Sequence, residues 1–183
     1  MPELRTRREQ WVTEGLRALA AGGVDAVRVE RLARGLGVTK GGFYGYFADR
    51  DDLLREMLDA WEQALLLEPM AVIDVEPGDG RQRLRRLFEL AGESGTELLA
   101  VELAIRNWAR HHEVVAARVA RIDNRRTAYM RALFAEFCSD PGDVEGRCHL
   151  ATTLFVGNQF VATTHLHHER ADVLAAAVAH LLL

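Results

Sequence analysis

An all-α fold is predicted, on three observations. Apolar residues recur at spacings of three and four along most of the 183 residues, the period of a helix with one buried face. No segment alternates apolar and polar residues as a half-buried strand does. Proline, which breaks helices, occurs only at Pro2, Pro69, Pro77 and Pro141. The composition, 49% hydrophobic and 27% charged, is that of an ordinary globular chain. The length suits one domain, or a small module attached to a larger one.

The elements follow in order. Trp11, Gly15, Leu16, Leu19 and Ala20 share one face of a helix from about Leu4 to Ala21, which Gly22-Gly23 stops. A short helix from about Val29 to Gly35 precedes a turn at Gly37, and another runs from about Thr39 to Tyr46. Asp49 has the character of an N-cap, with Asp52 three residues on. The helix it opens carries Leu53, Leu54, Met57, Leu58 and Trp61 and ends near Glu68-Pro69. Two prolines and two glycines mark Glu68 to Gly80 as a loop. Beyond it, helices are expected at about Arg81–Gly92, Thr96–Arg110, Glu113–Cys138, Val144–His168 and Ala171–Leu183, roughly nine in all.

Cys138 and Cys148 are too few for a disulfide scaffold. Met1 to Gln10 is charged and lacks the apolar core of a signal peptide. Cys148 to His168 is the longest stretch without Asp, Glu, Lys or Arg, but its Thr, Asn, Gln and His content is too polar for lipid. A cytoplasmic protein with no membrane partner is expected.

The informative stretch is Val29 to Phe47, VERLARGLGVTKGGFYGYF. Two short helices meeting at a tight turn need a small residue where their axes cross, which Ala33 supplies. They also need a residue that tolerates positive φ, which Gly37 supplies. Leu32, Leu36, Val38, Phe43 and Phe47 are spaced to lock the pair together. Thr39 is placed to cap the second helix, whose first turn presents Thr39, Lys40, Gly41 and Gly42 outward. In a helix-turn-helix, that turn meets base edges in the major groove. The competing reading is an αα-hairpin that binds nothing. Charge favours the first. Arg28, Arg31, Arg34, Lys40 and Arg50 stand against Glu30 and Asp49, a net of +3 from residue 28 to 50. Lys40 is the only lysine in the chain, a point charge suited to phosphate or a guanine edge. Tyr44 and Tyr46 carry hydroxyls able to donate to phosphates.

These residues resemble the N-terminal domain of TetR-type transcriptional regulators. The resemblance lies in LARGLGVTKG, the aromatic run FYGYF, and ADRDDLL opening the next helix. It extends upstream through Leu16 to Gly22, and the stretch from Trp108 to Phe134 also looks like the middle of many members. It implies a homodimer that binds a palindromic double-stranded DNA operator and releases it when a small-molecule effector enters the C-terminal domain. It implies DNA contacts from Lys40, Tyr44, Tyr46 and Arg50, to which Arg28, Thr39, Gly41 and Gly42 are added by position. Gly42 and Gly45 depart from the family pattern, in which Ser or Thr and a large residue are usual. Glycine costs about 1 kcal/mol relative to alanine in a helix, so a marginal recognition helix with few base-reading side chains is expected. The division expected is a DNA-binding module over 1–48 and a sensing and dimerisation domain over 49–183, joined by the helix 49–68.

The last two helices are the expected dimer surface, by the resemblance and by their small, uncharged residues. An effector cavity is expected among the helices from Arg81 to His168. Its candidate lining is Phe88, Leu99, Leu103, Trp108, Tyr129, Met130, Phe134, Phe155, Asn158, Gln159 and His165. The last three would lie within two turns of an otherwise apolar helix, where buried polar groups need partners.

Other chemistries are weaker. His165 and His168 lie three apart, but no Glu-x-x-His occurs, so no metal or cofactor is expected. No nucleophile elbow, P-loop or dinucleotide fingerprint appears, so an enzyme is not expected. Redox sensing by Cys138 and Cys148 requires an approach that sequence cannot establish. The remaining alternative is a helical ligand-binding or scaffold protein without specific DNA binding. Taken whole, the net charge of −4 favours that alternative, but it conceals a partition. Residues 1–55 carry ten basic and eight acidic side chains, a net of +2, while the other 128 carry 13 and 19, a net of −6. The positive end is the end with the helix-turn-helix.

Overall fold

The computed structural model describes residues 2–93, 95–158 and 160–183, with side chains from Arg7 onward. The fold is all-α, with no strand among the described residues. The helices are α1 (Pro2–Gly22), α2 (Val29–Gly35), α3 (Lys40–Phe43), α4 (Arg50–Glu62), α5 (Glu68–Asp74), α6 (Gly80–Glu93), α7 (Thr96–Ala109), α8 (Glu113–Ala135), α9 (Pro141–Gly157) and α10 (Arg170–Leu181). They form two compact units, Met1–Leu67 with Gly95–Ala120, and Glu68–Ser94 with Arg121–Leu183.

In the first unit α1 packs on α2, α4 and α7. The core holds Trp11, Leu19, Phe43, Phe47, Leu53, Met57 and Trp61, all buried. Gly15 lets α1 and α4 approach closely: a Cβ there would stand 2.6 Å from Met57 Sδ. Between α4 and α7 the carboxylate of Glu102, 1% exposed, accepts from Trp61 Nε1 at 2.6 Å and from Arg106 Nε at 2.7 Å. Burial of this charge is tolerable only because it is hydrogen-bonded on both oxygens. In the second unit Ile73, Leu84, Met130, Leu133, Phe134, Val144, Cys148 and Leu181 form the core. The C-terminal end of α10 is closed by two arginines. Arg147 donates to the Leu181 carbonyl at 2.6 Å and Arg81 to that of Leu183 at 3.0 Å. Cations there complement the helix dipole.

Three expectations are corrected. Glu68–Gly80 is not all loop, because Glu68–Asp74 is helical. A five-residue π turn over Gln63–Leu67 runs straight into it, and such a widened turn accommodates Pro69, which has no N–H to donate. The helix expected over Val144–His168 ends at Gly157. Asn158 and His165 therefore lie beyond its end, and Gln159 lies outside the described residues. The recognition helix is shorter than Thr39–Tyr46. It spans Lys40–Phe43, with Tyr44–Tyr46 in turns, as two glycines within it and Gly45 beyond it would favour.

Candidate nucleic-acid interface

The interface is built from a tight turn on an aromatic base. Leu36 N donates to Leu32 O at 2.9 Å and Val38 N to Ala33 O at 2.9 Å, closing α2. Gly37 takes φ +66°, the left-handed region that glycine enters without a Cβ clash. Thr39 caps α3, its hydroxyl accepting from Gly42 N at 3.3 Å. Beneath α3, Phe43 stacks on Phe47 with centroids 5.1 Å apart and meets the edge of Trp11 at 5.3 Å. Arg8 lies over the Phe47 ring at 4.5 Å. It also pairs with Glu56 and donates to the Tyr46 carbonyl. One arginine thus joins α1, the turn after α3, and α4.

The predicted DNA-facing residues divide by what they do. Thr39, Lys40, Gly41 and Tyr44 are exposed, and Gly42 and Tyr46 are half-buried. Tyr44 packs its ring edge-on to Phe43 at 5.3 Å and is 56% exposed. Arg28 donates to the Asp25 carbonyl at 3.0 Å. Arg50 is committed inward: its Nε donates to Val27 O and its Nη2 to Val24 O, both at 2.6 Å. That ties the start of α4 to the α1–α2 connection. The Asp49 carboxylate caps α4 through Asp52 N at 2.8 Å, as its sequence position predicts.

Lys40 has a partner that sequence reasoning missed. Its Nζ lies 2.6 Å from Glu30 Oε1. This contact pulls the Glu30 carboxyl below its ordinary range and holds the Lys40 ammonium above its own. The pair is ten residues apart on two helices, a spacing with no sequence signature.

The effector candidates fall in different units. Leu99, Leu103 and Trp108 belong to the first, where Trp108 lies edge-on to His112 with centroids 5.6 Å apart. In the second, Met130 and Phe134 are buried core and Phe88 packs against that core. Tyr129 donates to Asp74 Oδ1 at 2.8 Å. Phe155 is covered by the Arg126 guanidinium at 5.1 Å. Arg170 donates to the Asn158 carbonyl and, at 2.9 Å, to its Oδ1. Asn158 and His165 line a groove of about 420 Å³ between α9 and α10, with apolar walls including Leu150, Leu154, Val173 and Leu174.

Cys148 is fully buried, and burial pushes its thiol up, away from the reactive thiolate. No group of three metal-ligating side chains occurs among the described residues. No described helix is long and apolar enough to cross a membrane.

Comparisons with known proteins meet this geometry at the same place. Residues 12–57 match the family of bacterial regulatory proteins, tetR family, a span that runs from α1 through most of α4. Several solved structures share the fold at low identity. A candidate transcriptional regulator from Pseudomonas aeruginosa PAO1 superposes with a TM-score of 0.77 at 18% identity, over 100% of this chain and 90% of that one. One from Saccharomonospora viridis, solved in complex with choline, gives 0.76 at 18%, over 97% and 94%. A regulator of the TetR/AcrR family from Thermobifida fusca YX-ER1 gives 0.68 at 18%, over 97% of both chains. Among curated proteins no relative matches. Residues 12–57 thus match the DNA-binding module of the tetR family, and the chain as a whole shares the fold of these solved regulators.

Proposed function

We propose that the chain is a ligand-responsive repressor that binds a palindromic operator as a homodimer. The observation that carries this is the first turn of α3, capped by Thr39 and exposed, on the Trp11–Phe43–Phe47 base that fixes its orientation. Lys40 reaches a phosphate or base edge there, and Tyr44 and Tyr46 reach the backbone. The Gly41 backbone N–H approaches the DNA without a side chain in the way, while that of Gly42 is held by Thr39. Arg50 acts by holding the start of α4 in place. Residues 1–48 are the DNA-binding part and 49–183 the sensing and dimerising part, with α4 between them.

The dimer surface is α9 with α10. Their groove is apolar, with Leu150 and Val161 exposed in its lining, and Phe160 and Leu166 are exposed as well, more apolar surface than a lone chain usually presents. A second copy covers it in an isologous helix pair. Sedimentation at micromolar concentration then gives a dimer, and a monomer contradicts it.

An effector is supported by the choline complex of the Saccharomonospora viridis protein, which leaves this chain's own ligand to be identified. Phe88, Tyr129 and Phe155, all in the second unit, are the side chains proposed to meet it. Two recognition helices must sit about 34–36 Å apart to enter successive major grooves. A ligand that binds best when they stand at another spacing lowers operator affinity by its differential affinity for the two states.

The test is a titration of the chain against duplex from the promoter region beside its own gene, with random duplex as the control. Tighter binding to the promoter duplex, weakening as salt rises, supports the reading. Equal binding to both leaves only a non-specific helical protein.

A further inference from the structure

We infer that Glu30 masks Lys40 against non-specific DNA, so that the only side-chain charge on the recognition helix is spent only where the major groove displaces the carboxylate. The inference rests on the DNA-binding reading above.

Four observations carry it. Lys40 is the only charged residue in α3, Lys40–Phe43, and the rest of the helix is Gly41, Gly42 and Phe43. Of the cations from Arg28 to Arg50, Lys40 is the one held by a carboxylate among the described residues, at 2.6 Å. Arg28 and Arg50 donate to carbonyls, which leaves their charge in place, and Arg28 lies near enough to Glu30 to help hold its carboxyl low. Glu30 stands in the first turn of α2 and is 61% exposed, on the same solvent face as Lys40 at 52%. The contact holds the Glu30 carboxyl below its ordinary range and the Lys40 ammonium above its own, so each charge is kept and faces its opposite.

The consequence is a repulsive element built into the reading head. On arbitrary DNA a phosphate must compete with a carboxylate already in contact, and success leaves that carboxylate unpaired beside the phosphate chain. Non-specific binding is driven almost wholly by cations neutralising phosphates, so a masked Lys40 adds nothing to it. At the operator a base-edge acceptor fixed in register takes the ammonium, and the exchange is worthwhile. Discrimination is gained by weakening the wrong complex rather than by strengthening the right one.

The experiment needs no knowledge of the operator. The full chain, Glu30→Gln, Lys40→Gln and the double variant are titrated with a random-sequence duplex across a range of salt. Thermal melts check that all four are folded, which is expected because both side chains are on the surface. The wild type, Lys40→Gln and the double variant should share one salt slope. Glu30→Gln should be steeper by about 0.9 in log affinity per log salt for each subunit bound, and tighter by at least about threefold at low salt. A Glu30→Gln slope equal to wild type overturns the masking. So does a Lys40→Gln slope shallower than wild type, which would mean that Lys40 already meets phosphate. If the wild type binds no duplex with any salt dependence, the DNA-binding reading has failed, and the masking with it.

Discussion

Arg50 braces the start of α4 from within the module. Its two hydrogen bonds, at 2.6 Å each, join the α4 start to the Val24 and Val27 carbonyls. Charged donors contribute more than neutral ones, so Arg50→Ala should cost about 2 kcal/mol, lowering the melting midpoint by about 4–8 °C. A midpoint within a degree of wild type would contradict the positioning role. Tyr129 gives a residue-scale prediction in pH. Burial, and then its hydrogen bond to Asp74, push the phenol above its ordinary value. The folded chain therefore keeps the proton after the unfolded chain has lost it. The stability this contributes is complete below pH about 10 and fades as pH rises toward the folded value. An alkaline absorbance titration should show one phenol ionising late that Tyr129→Phe lacks; an ordinary titration for that phenol would sink the assignment. At this scale Thr39 and Asp49 were legible as caps, because a cap needs a particular oxygen at a particular position. Glu30 and Arg8 were not, because their partners lie on other helices.

At the scale of elements, α3 is the weak point of its own module. Two of its four residues are glycine. A Cβ at Gly41 or Gly42 would meet nothing closer than the Thr39 hydroxyl, at 3.8 and 3.9 Å. Gly41→Ala and Gly42→Ala should each stabilise the chain by about 0.5–1 kcal/mol, read as a higher melting midpoint. A lower midpoint for both would mean that α3 is strained in a way the backbone does not show. The turn before α3 was legible because Gly37 and Ala33 answer fixed steric demands. The end of α9 was not: residues 158–168 hold no Asp, Glu, Lys or Arg and no proline to stop a helix. The β-branched pair Thr163-Thr164 was the available signal. Glu68–Pro69 misled in the opposite direction, since the widened turn before it lets the chain stay helical through proline.

For the whole molecule, charge partition is the feature that sequence makes plainest. A chain of net −4 carries its positive excess in the first 55 residues, where the helix-turn-helix lies. The fold class was legible throughout, since helical periodicity repeats in nearly every segment. The effector lining was less so, since apolar side chains such as Met130 and Phe134 serve a core and a pocket equally well on paper. The central claim is that this chain reads DNA through the first turn of α3. The most direct test compares wild type with Lys40→Ala in a gel-shift titration on the duplex from its own promoter region. The account predicts at least about fivefold weaker binding for the variant, with a shallower salt slope. Equal affinity and an equal slope would contradict it.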